Sequence, residues 1–235
     1  MNRKDTRLNE WFVPKFGPTG FRIFIGLLFL PYTGMCISFA VIGSLLSSQV
    51  LWDRVCAIAA IYALGLGVAA HTVDTIGSKK VKPWGSYFTR RQLWFMALTS
   101  LACAYFIGIY YMLLYTPLLW IVAILEGFFV FAYNLEMFNG FFHNNLWFSV
   151  SWGALPVLAG FIIQTNYIGL IPLFVSAGTG IISYFHITVS RPYKESKRSG
   201  HDNHHIRRLE AFLKVLSLGT VLFALGFAIH RLVFG

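Results

Sequence analysis

The sequence predicts an all-α integral membrane protein with about seven transmembrane helices in one bundle. Of its 235 residues, 57% are hydrophobic and only 12% are charged, whereas soluble domains carry roughly 25% charged residues. Apolar runs of about 20 residues, each long enough to cross a bilayer, recur along the whole chain. The basic residues cluster between these runs, which is typical of loops that set membrane topology.

The apolar runs define the predicted elements in chain order. A basic segment, residues 1–21, precedes a single transmembrane domain, residues 22–235. The seven predicted spans are residues 22–45, 51–71, 92–113, 117–134, 146–164, 168–187 and 210–233. We expect the loops 72–91, 135–145 and 188–209 to lie on the same membrane face as the N-terminus.

The distribution of Lys and Arg predicts the orientation. If the spans alternate, 17 of the 19 basic residues fall on the face that carries the N-terminus, and only Arg54 and Arg231 fall on the other. The positive-inside rule then predicts a cytoplasmic N-terminus and an external C-terminus, in a multi-pass protein of the cytoplasmic or plasma membrane. The polar, basic start does not have the pattern of a signal peptide, so the first span is expected to be a permanent anchor.

The net charge of +10 would suggest nucleic acid in a soluble protein. Here the charge is explained by topology, and no nucleic-acid partner is predicted. The three cysteines, Cys36, Cys56 and Cys103, lie in apolar spans without CxxC spacing. They are predicted to be small buried hydrophobic residues rather than a disulfide framework or a zinc cluster.

The stretch AHTVDTIGSKKVKPWGSYFTRR, which follows the second span, carries the first candidate site. His71 and Asp74 are three residues apart, so at a helix end they point to one side and can share a metal ion or a proton. Lys79 and Lys80 follow and are candidates for holding an anionic lipid or a phosphate.

Further candidates lie in and after the fourth span. Glu126 is a carboxyl group at membrane depth, where such groups are costly and usually functional. Tyr133 falls on about the same helix face, and Asn134, Glu136 and His143 follow at the cytoplasmic end. We assign substrate binding to Tyr133 and Asn134, and catalytic roles to Glu126 and Glu136 together with Asp74.

Two imidazoles and two carboxylates, those of His71, Asp74, Glu136 and His143, form a predicted divalent-metal site. The alternative interpretation is that Asp74 and Glu136 only pair with loop cations at helix ends. In the loop after the sixth span, Arg191 and Lys194 are three residues apart and are predicted to close on a phosphate. Basic anchors of the positive-inside kind explain these two residues equally well.

The order of these features resembles the UbiA superfamily of intramembrane prenyltransferases. The residues that carry the resemblance are Ala70-His71-Thr72-Val73-Asp74 after the second span, Tyr133-Asn134 after the fourth, and Gly153 to Pro156 in SWGALP. In that family, an Asn-Asp-x-x-Asp type motif, a tyrosine turn and a Gly-Trp-x-x-Pro helix occupy the corresponding places. The resemblance covers about residues 18–165.

The resemblance implies a UbiA-like bundle that ionises an allylic diphosphate on a divalent metal ion. Metal at His71 and Asp74, assisted by Glu136 and His143, would then neutralise the leaving group. The chain departs from the family pattern, because ISYFHITVSRPYKE after the sixth span contains no Asp and the family typically has nine spans. Mg²⁺ prefers oxygen ligands, whereas the mixture of His and carboxylate suits zinc or a transition metal.

Three functions are therefore compatible with the sequence. The first is a prenyltransferase-like enzyme that acts on an isoprenoid or lipid (di)phosphate at the cytoplasmic face. The second is a divergent enzyme on the same scaffold, such as a metal-dependent hydrolase. The third is a lipid-binding subunit or a transporter, and transport is disfavoured because no inverted internal repeat is visible.

Overall fold

The computed structural model describes residues 8, 10–78, 87–199 and 203–235. Within these residues the chain is all-helical and contains no strand. Besides the short 3-10 helix Phe138–Gly140, the described part of the chain forms eight longer helices: α1 (Thr19–Leu27), α2 (Leu30–Leu45), α3 (Trp52–Gly77), α4 (Arg90–Leu114), α5 (Leu119–Ala132), α6 (Asn145–Thr165), α7 (Leu170–Ser199) and α8 (Asn203–Phe234).

Five of these helices, α3, α4, α6, α7 and α8, are long and apolar enough to cross a membrane. The pair α1 and α2, bent by 42°, raises the number to six if the two helices form one span. These lengths and compositions indicate a multi-pass membrane protein. The predicted fourth span, residues 117–134, corresponds to α5, which has only 14 residues and reaches about 21 Å, short of a hydrocarbon core of about 30 Å.

The bend between α1 and α2 is made by Phe29, whose φ of 44° lies in the left-handed region. A non-glycine residue pays about 1–2 kcal/mol for this conformation. Pro31 then lies in the first turn of α2, where its missing N–H has no helical partner to lose. The ring of Phe29 packs against Phe12 at 5.0 Å and His71 at 5.9 Å, so neighbouring residues hold the bend.

The helix α2 is the centre of the bundle and packs against α3, α6 and α8. Its contact with α6 is close because both helices have glycine where they meet. A Cβ atom on Gly43 would collide with the carbonyl of Val157, and a Cβ atom on Gly160 would collide with the carbonyl of Ala40. Small residues allow this approach of two backbones, the usual means of helix association in lipid.

Two helices contain wider π-helical segments, Ala63–Ala70 in α3 and Val150–Ala154 in α6. In α6 the cause is readable from the sequence: Pro156 has no N–H, so the carbonyl of Trp152 loses its α-helical donor. The Sγ of Cys36 donates to that carbonyl instead, at 3.0 Å. Hydroxyl groups of α7, those of Thr179 and Ser176, bond the next two carbonyls at 2.8 and 2.9 Å.

Arg54 and Arg231, the two cations predicted on the external face, bind backbone carbonyls at the end of the bundle where α2 ends. Arg54 donates to the carbonyl of Ile163 at 2.9 Å, and Arg231 donates to the carbonyl of Ser47 at 2.7 Å. Gln164 bonds both the N–H and the C=O of Leu51. These contacts satisfy backbone groups at helix ends and leave the opposite end of the bundle for the cavity described next.

Candidate functional site

A cavity of about 230 Å³ opens between the N-terminal ends of α2 and α6 and the C-terminal ends of α3, α5 and α7. Its polar lining residues are Tyr32, His71, Asp74, Thr75, Tyr133, Asn134, His143, His186, Ser190, Arg191 and Lys194. Seven residues selected from the sequence thus line one cavity, namely His71, Asp74, Tyr133, Asn134, His143, Arg191 and Lys194. They come from three separate regions of the chain.

His71 and Asp74 lie on the last two turns of α3, which continues to Gly77 instead of ending near residue 71. The His71 Nε2 atom is 3.2 Å from Thr33 Oγ1. Thr33 donates its only hydroxyl proton to the carbonyl of Leu28 at 2.6 Å, so its oxygen accepts a proton from His71. The His71 ring therefore carries hydrogen on Nε2, and in the neutral ring only Nδ1 keeps a lone pair.

The turn after α5 places His143 and Tyr133 against each other. The two rings are 4.6 Å apart at an angle of 32°, and His143 Nδ1 donates to the Tyr133 carbonyl at 3.0 Å. This bond leaves Nε2 as the acceptor in the neutral ring. The chain makes this return with left-handed backbone at Glu136, Phe138 and Asn139, a costly conformation that tends to cluster at functional sites.

Close packing against α3 positions the same turn. The backbone of Asn134 lies so near Gly77 that a Cβ atom on the glycine would collide with the Asn134 carbonyl. Asn134 is itself buried, and its side chain donates to the carbonyl of Val130 at 2.8 Å. Glycine at position 77 is therefore required for the last turn of α3 to reach the cavity wall.

Two cations border the cavity on the last turns of α7. The Arg191 guanidinium lies near enough to the Tyr133 hydroxyl to affect its ionisation, and the Lys194 ammonium lies 5.0 Å from the centre of the Phe29 ring. Burial raises the pKa of Tyr133 to about 12, although the Arg191 charge and hydrogen bond lower it and the Asp74 charge raises it. Tyr133 is therefore a neutral phenol placed between a cation and a carboxylate.

His186, one and a half turns before Arg191 on α7, is an additional wall residue. It is 2% exposed, its ring lies 4.8 Å from that of Tyr32, and its Nδ1 has no hydrogen-bond partner among the described residues. Tyr32, Phe29 and Trp152 also line the cavity without being selected from the sequence. A polar side chain inside an apolar run was the available signal for Tyr32 and His186, whereas left-handed backbone at Phe29 has no sequence signal.

Other selected residues lie elsewhere. Glu136 is half-buried in the turn after α5 but does not line the cavity. Glu126 lines a separate apolar groove. Lys79 and Lys80, two of the four predicted phosphate-binding cations, lie outside the described residues.

The groove that contains Glu126 lies between α3, α4 and α5 and is almost wholly apolar. The Tyr62 hydroxyl donates to Glu126 Oε1 at 2.8 Å. Gly65 widens the groove, since open space surrounds the position that its Cβ would occupy. Leu66 and Trp152 line both the groove and the polar cavity, so the two spaces are adjacent.

Within residues 8, 10–78, 87–199 and 203–235, no three His, Cys, Asp or Glu side chains are arranged to hold a metal ion. The predicted four-ligand set of His71, Asp74, Glu136 and His143 is therefore not assembled. Glu136 lies outside the cavity, and the Nε2 of His71 bonds Thr33. Asp74 is the single carboxylate among the lining residues, which is a poor oxygen-ligand set for Mg²⁺.

Comparison of the chain with protein-family models, with curated proteins and with solved structures gives no match. The cavity and the groove are therefore the features from which a function can be inferred.

Proposed function

We propose that the protein is a UbiA-like membrane enzyme that acts on an isoprenoid or other lipid (di)phosphate. The polar cavity would take the phosphate head, and the adjoining groove would take the apolar chain. The observation that carries this proposal is that the two spaces are adjacent, since Leu66 and Trp152 line both. One space is bordered by cations and the other is lined by hydrocarbon, which matches the two halves of such a lipid.

The charges of Arg191 and Lys194 support phosphate as the head group. They are three residues apart on α7 and share one face of the helix. Both line the cavity, and the planar guanidinium of Arg191 suits bidentate binding of phosphate oxygens. Tyr133 is available as a neutral donor or acceptor beside Arg191.

The reaction proposed is transfer of the allylic chain. The bond between the first carbon of the chain and the phosphate oxygen breaks, and the electron pair stays on the oxygen. Arg191 and Lys194 then neutralise the developing charge. A nucleophile, either an acceptor lipid or water, forms the new bond to carbon and gives its proton to Asp74 or to His143 Nε2. No step is assigned to a metal ion, because the lining residues do not fit one.

A second candidate function is lipid-phosphate binding without turnover. It is favoured by the single carboxylate among the described lining residues, since metal ions commonly stabilise a leaving phosphate and one carboxylate is a poor site for Mg²⁺. In this case Arg191 and Lys194 keep their role, and Asp74 only orients the last turn of α3.

The proposal is tested with detergent-purified protein and three probes: geranylgeranyl diphosphate, geranylgeranyl monophosphate and geranylgeraniol. The diphosphate is expected to bind at least about tenfold more tightly than the alcohol, because losing a charge-assisted contact costs about 1.5–3 kcal/mol. The substitutions Arg191→Gln and Lys194→Gln should weaken binding of the diphosphate and the monophosphate and leave binding of the alcohol unchanged. Arg208→Gln, an exposed cation on α8, is the matched control.

Turnover is followed in the same samples by release of inorganic diphosphate and by formation of geranylgeraniol, with membrane lipid extract as the source of acceptor. Diphosphate release that disappears in Asp74→Asn supports the enzyme. Phosphate-dependent binding without release supports the second candidate. Equal affinity for the alcohol and the diphosphate, unaffected by Arg191→Gln, would rule out both.

A further inference from the structure

Glu126 has an unusual environment for a residue that lines an apolar groove. Its Oε1 atom accepts the Tyr62 hydroxyl, but its Oε2 atom is buried and has no partner within the described residues. A buried polar atom that remains unpaired costs about 1–3 kcal/mol. Such an atom is retained at little cost only if something that binds in the groove pairs with it.

The surroundings determine the protonation state of this carboxyl group. The other polar side-chain groups of the groove lining are two tyrosine hydroxyls and the indole N–H of Trp152, and the described residues that line it include no Lys, Arg or His. The Tyr105 hydroxyl is already bonded to the Ala123 carbonyl at 2.7 Å. Without a cation, burial in an apolar medium favours the neutral acid. Since Oε1 accepts from Tyr62, the acid proton is on Oε2.

We infer that Glu126 is a subsite that donates a hydrogen bond to an acceptor atom, such as a carbonyl oxygen, carried on the apolar part of the bound lipid. Glu126 lines the groove, so an acceptor atom in the groove can approach Oε2 while Oε1 keeps its hydrogen bond from Tyr62. Gly65 leaves the space that a substituted chain needs on the opposite wall. The inference rests on the proposed function, because it specifies the chemistry of the lipid that enters the groove.

The position of Glu126 determines the expected distance between the phosphate and the acceptor atom of the lipid. Glu126 precedes Tyr133 by seven residues, and at 1.5 Å per residue the two are about 10 Å apart along the helix axis. A lipid with its phosphate beside Arg191 and Tyr133 would therefore place the acceptor atom about 10 Å further along its chain. A plain hydrocarbon chain would leave Oε2 unpaired.

The test compares binding of three synthetic lipid phosphates that differ at one position, about 10 Å from the phosphate: a plain methylene, a keto group and a hydroxyl. Binding is measured by native mass spectrometry of the detergent-purified protein. The keto lipid is expected to bind about tenfold more tightly than the plain lipid, the equivalent of one buried hydrogen bond. Glu126→Gln keeps a neutral donor and should keep this preference, whereas Glu126→Leu should abolish it.

Equal affinity for the plain and keto lipids in the wild type would overturn the inference, and so would a keto preference that persists in Glu126→Leu. A preference for the hydroxyl lipid alone would indicate an ionised carboxylate and would also overturn it. Comparing the affinities of the plain lipid phosphate and the matching plain alcohol distinguishes failure of this inference from failure of the proposed function. If the phosphate still binds better than the alcohol, the head-group proposal stands by itself.

Discussion

Thr33 fixes the hydrogen on His71. The Thr33 Oγ1 atom donates to the Leu28 carbonyl at 2.6 Å and lies 3.2 Å from His71 Nε2, so the imidazole is the donor in the second bond. One hydroxyl thereby joins the bend between α1 and α2 to the last turns of α3. The cavity wall and the bend that carries Phe29 are a single hydrogen-bonded unit.

Replacing Thr33 by Val is expected to destabilise the protein by about 1–3 kcal/mol, because the shape is kept while a buried carbonyl and an imidazole lose their partner. The measurement is thermal unfolding in detergent, together with binding of geranylgeranyl diphosphate. Thr220→Val is the control, since the Thr220 hydroxyl bonds only a carbonyl of its own helix. Equal behaviour of the two variants would show that the Thr33 bond contributes nothing specific.

Gly77→Ala should disrupt the contact between α3 and the turn after α5. The added methyl group would collide with the Asn134 carbonyl, and overpacking of this kind costs about 1–3 kcal/mol. Lower thermal stability and weaker binding of the lipid phosphate are expected together. Gly178→Ala, at a helical glycine with open space, should leave binding unchanged and the stability unchanged or slightly higher. Wild-type behaviour of Gly77→Ala would contradict the close approach.

The raised pKa of Tyr133 predicts a loss of stability at high pH. Burial raises its pKa to about 12, above the unperturbed value of about 10. A group with a raised pKa in the folded state contributes stability that is present below the unfolded pKa and is lost as the pH rises through the folded pKa. From pH 10 to about 12 the wild type should therefore lose stability more steeply than Tyr133→Phe.

The comparison is made by thermal unfolding in detergent at several pH values, with Tyr167→Phe as the control at an exposed tyrosine. Parallel pH curves for the wild type and Tyr133→Phe would contradict the assignment.

Filling the groove should impair lipid binding without unfolding the bundle. Open space surrounds the Cβ position of Gly65, so Gly65→Leu extends into the groove instead of colliding with a neighbouring helix. Affinity for geranylgeranyl diphosphate is expected to fall at least about tenfold, the loss of one to two buried methylene contacts, while a short-chain phosphate is unaffected. Gly178→Leu supplies the same side chain at an exposed site. An unchanged affinity in Gly65→Leu would show that the chain lies elsewhere.

Binding of the lipid phosphate should not require a metal ion, because the cations of the cavity are Arg191 and Lys194 and its lining contains one carboxylate. Treatment with EDTA is therefore expected to leave the affinity for geranylgeranyl diphosphate unchanged. Loss of binding after EDTA, with recovery on adding Mg²⁺ or Zn²⁺, would restore the metal site predicted from the sequence.

The sequence by itself determined the helical elements and the residues worth examining. Apolar runs of sufficient length become helices because a backbone in hydrocarbon must satisfy its own hydrogen bonds, and six of the seven predicted spans correspond to long helices or to the bent pair. His71, Asp74, Tyr133 and Arg191 were selectable because polar side chains at the ends of apolar runs are few.

Only the tertiary structure decided which of these residues meet. Contacts between distant segments depend on helix crossings, and those crossings depend on local backbone choices, such as the left-handed Phe29 and the close approaches at Gly43 and Gly77. In the resulting structure Glu136 and Glu126 lie outside the cavity, whereas His186 and Trp152 line it. Spacing along the chain carries no information about them, because a carboxylate at a helix end has the same local signal whether it faces a cavity or a neighbouring turn.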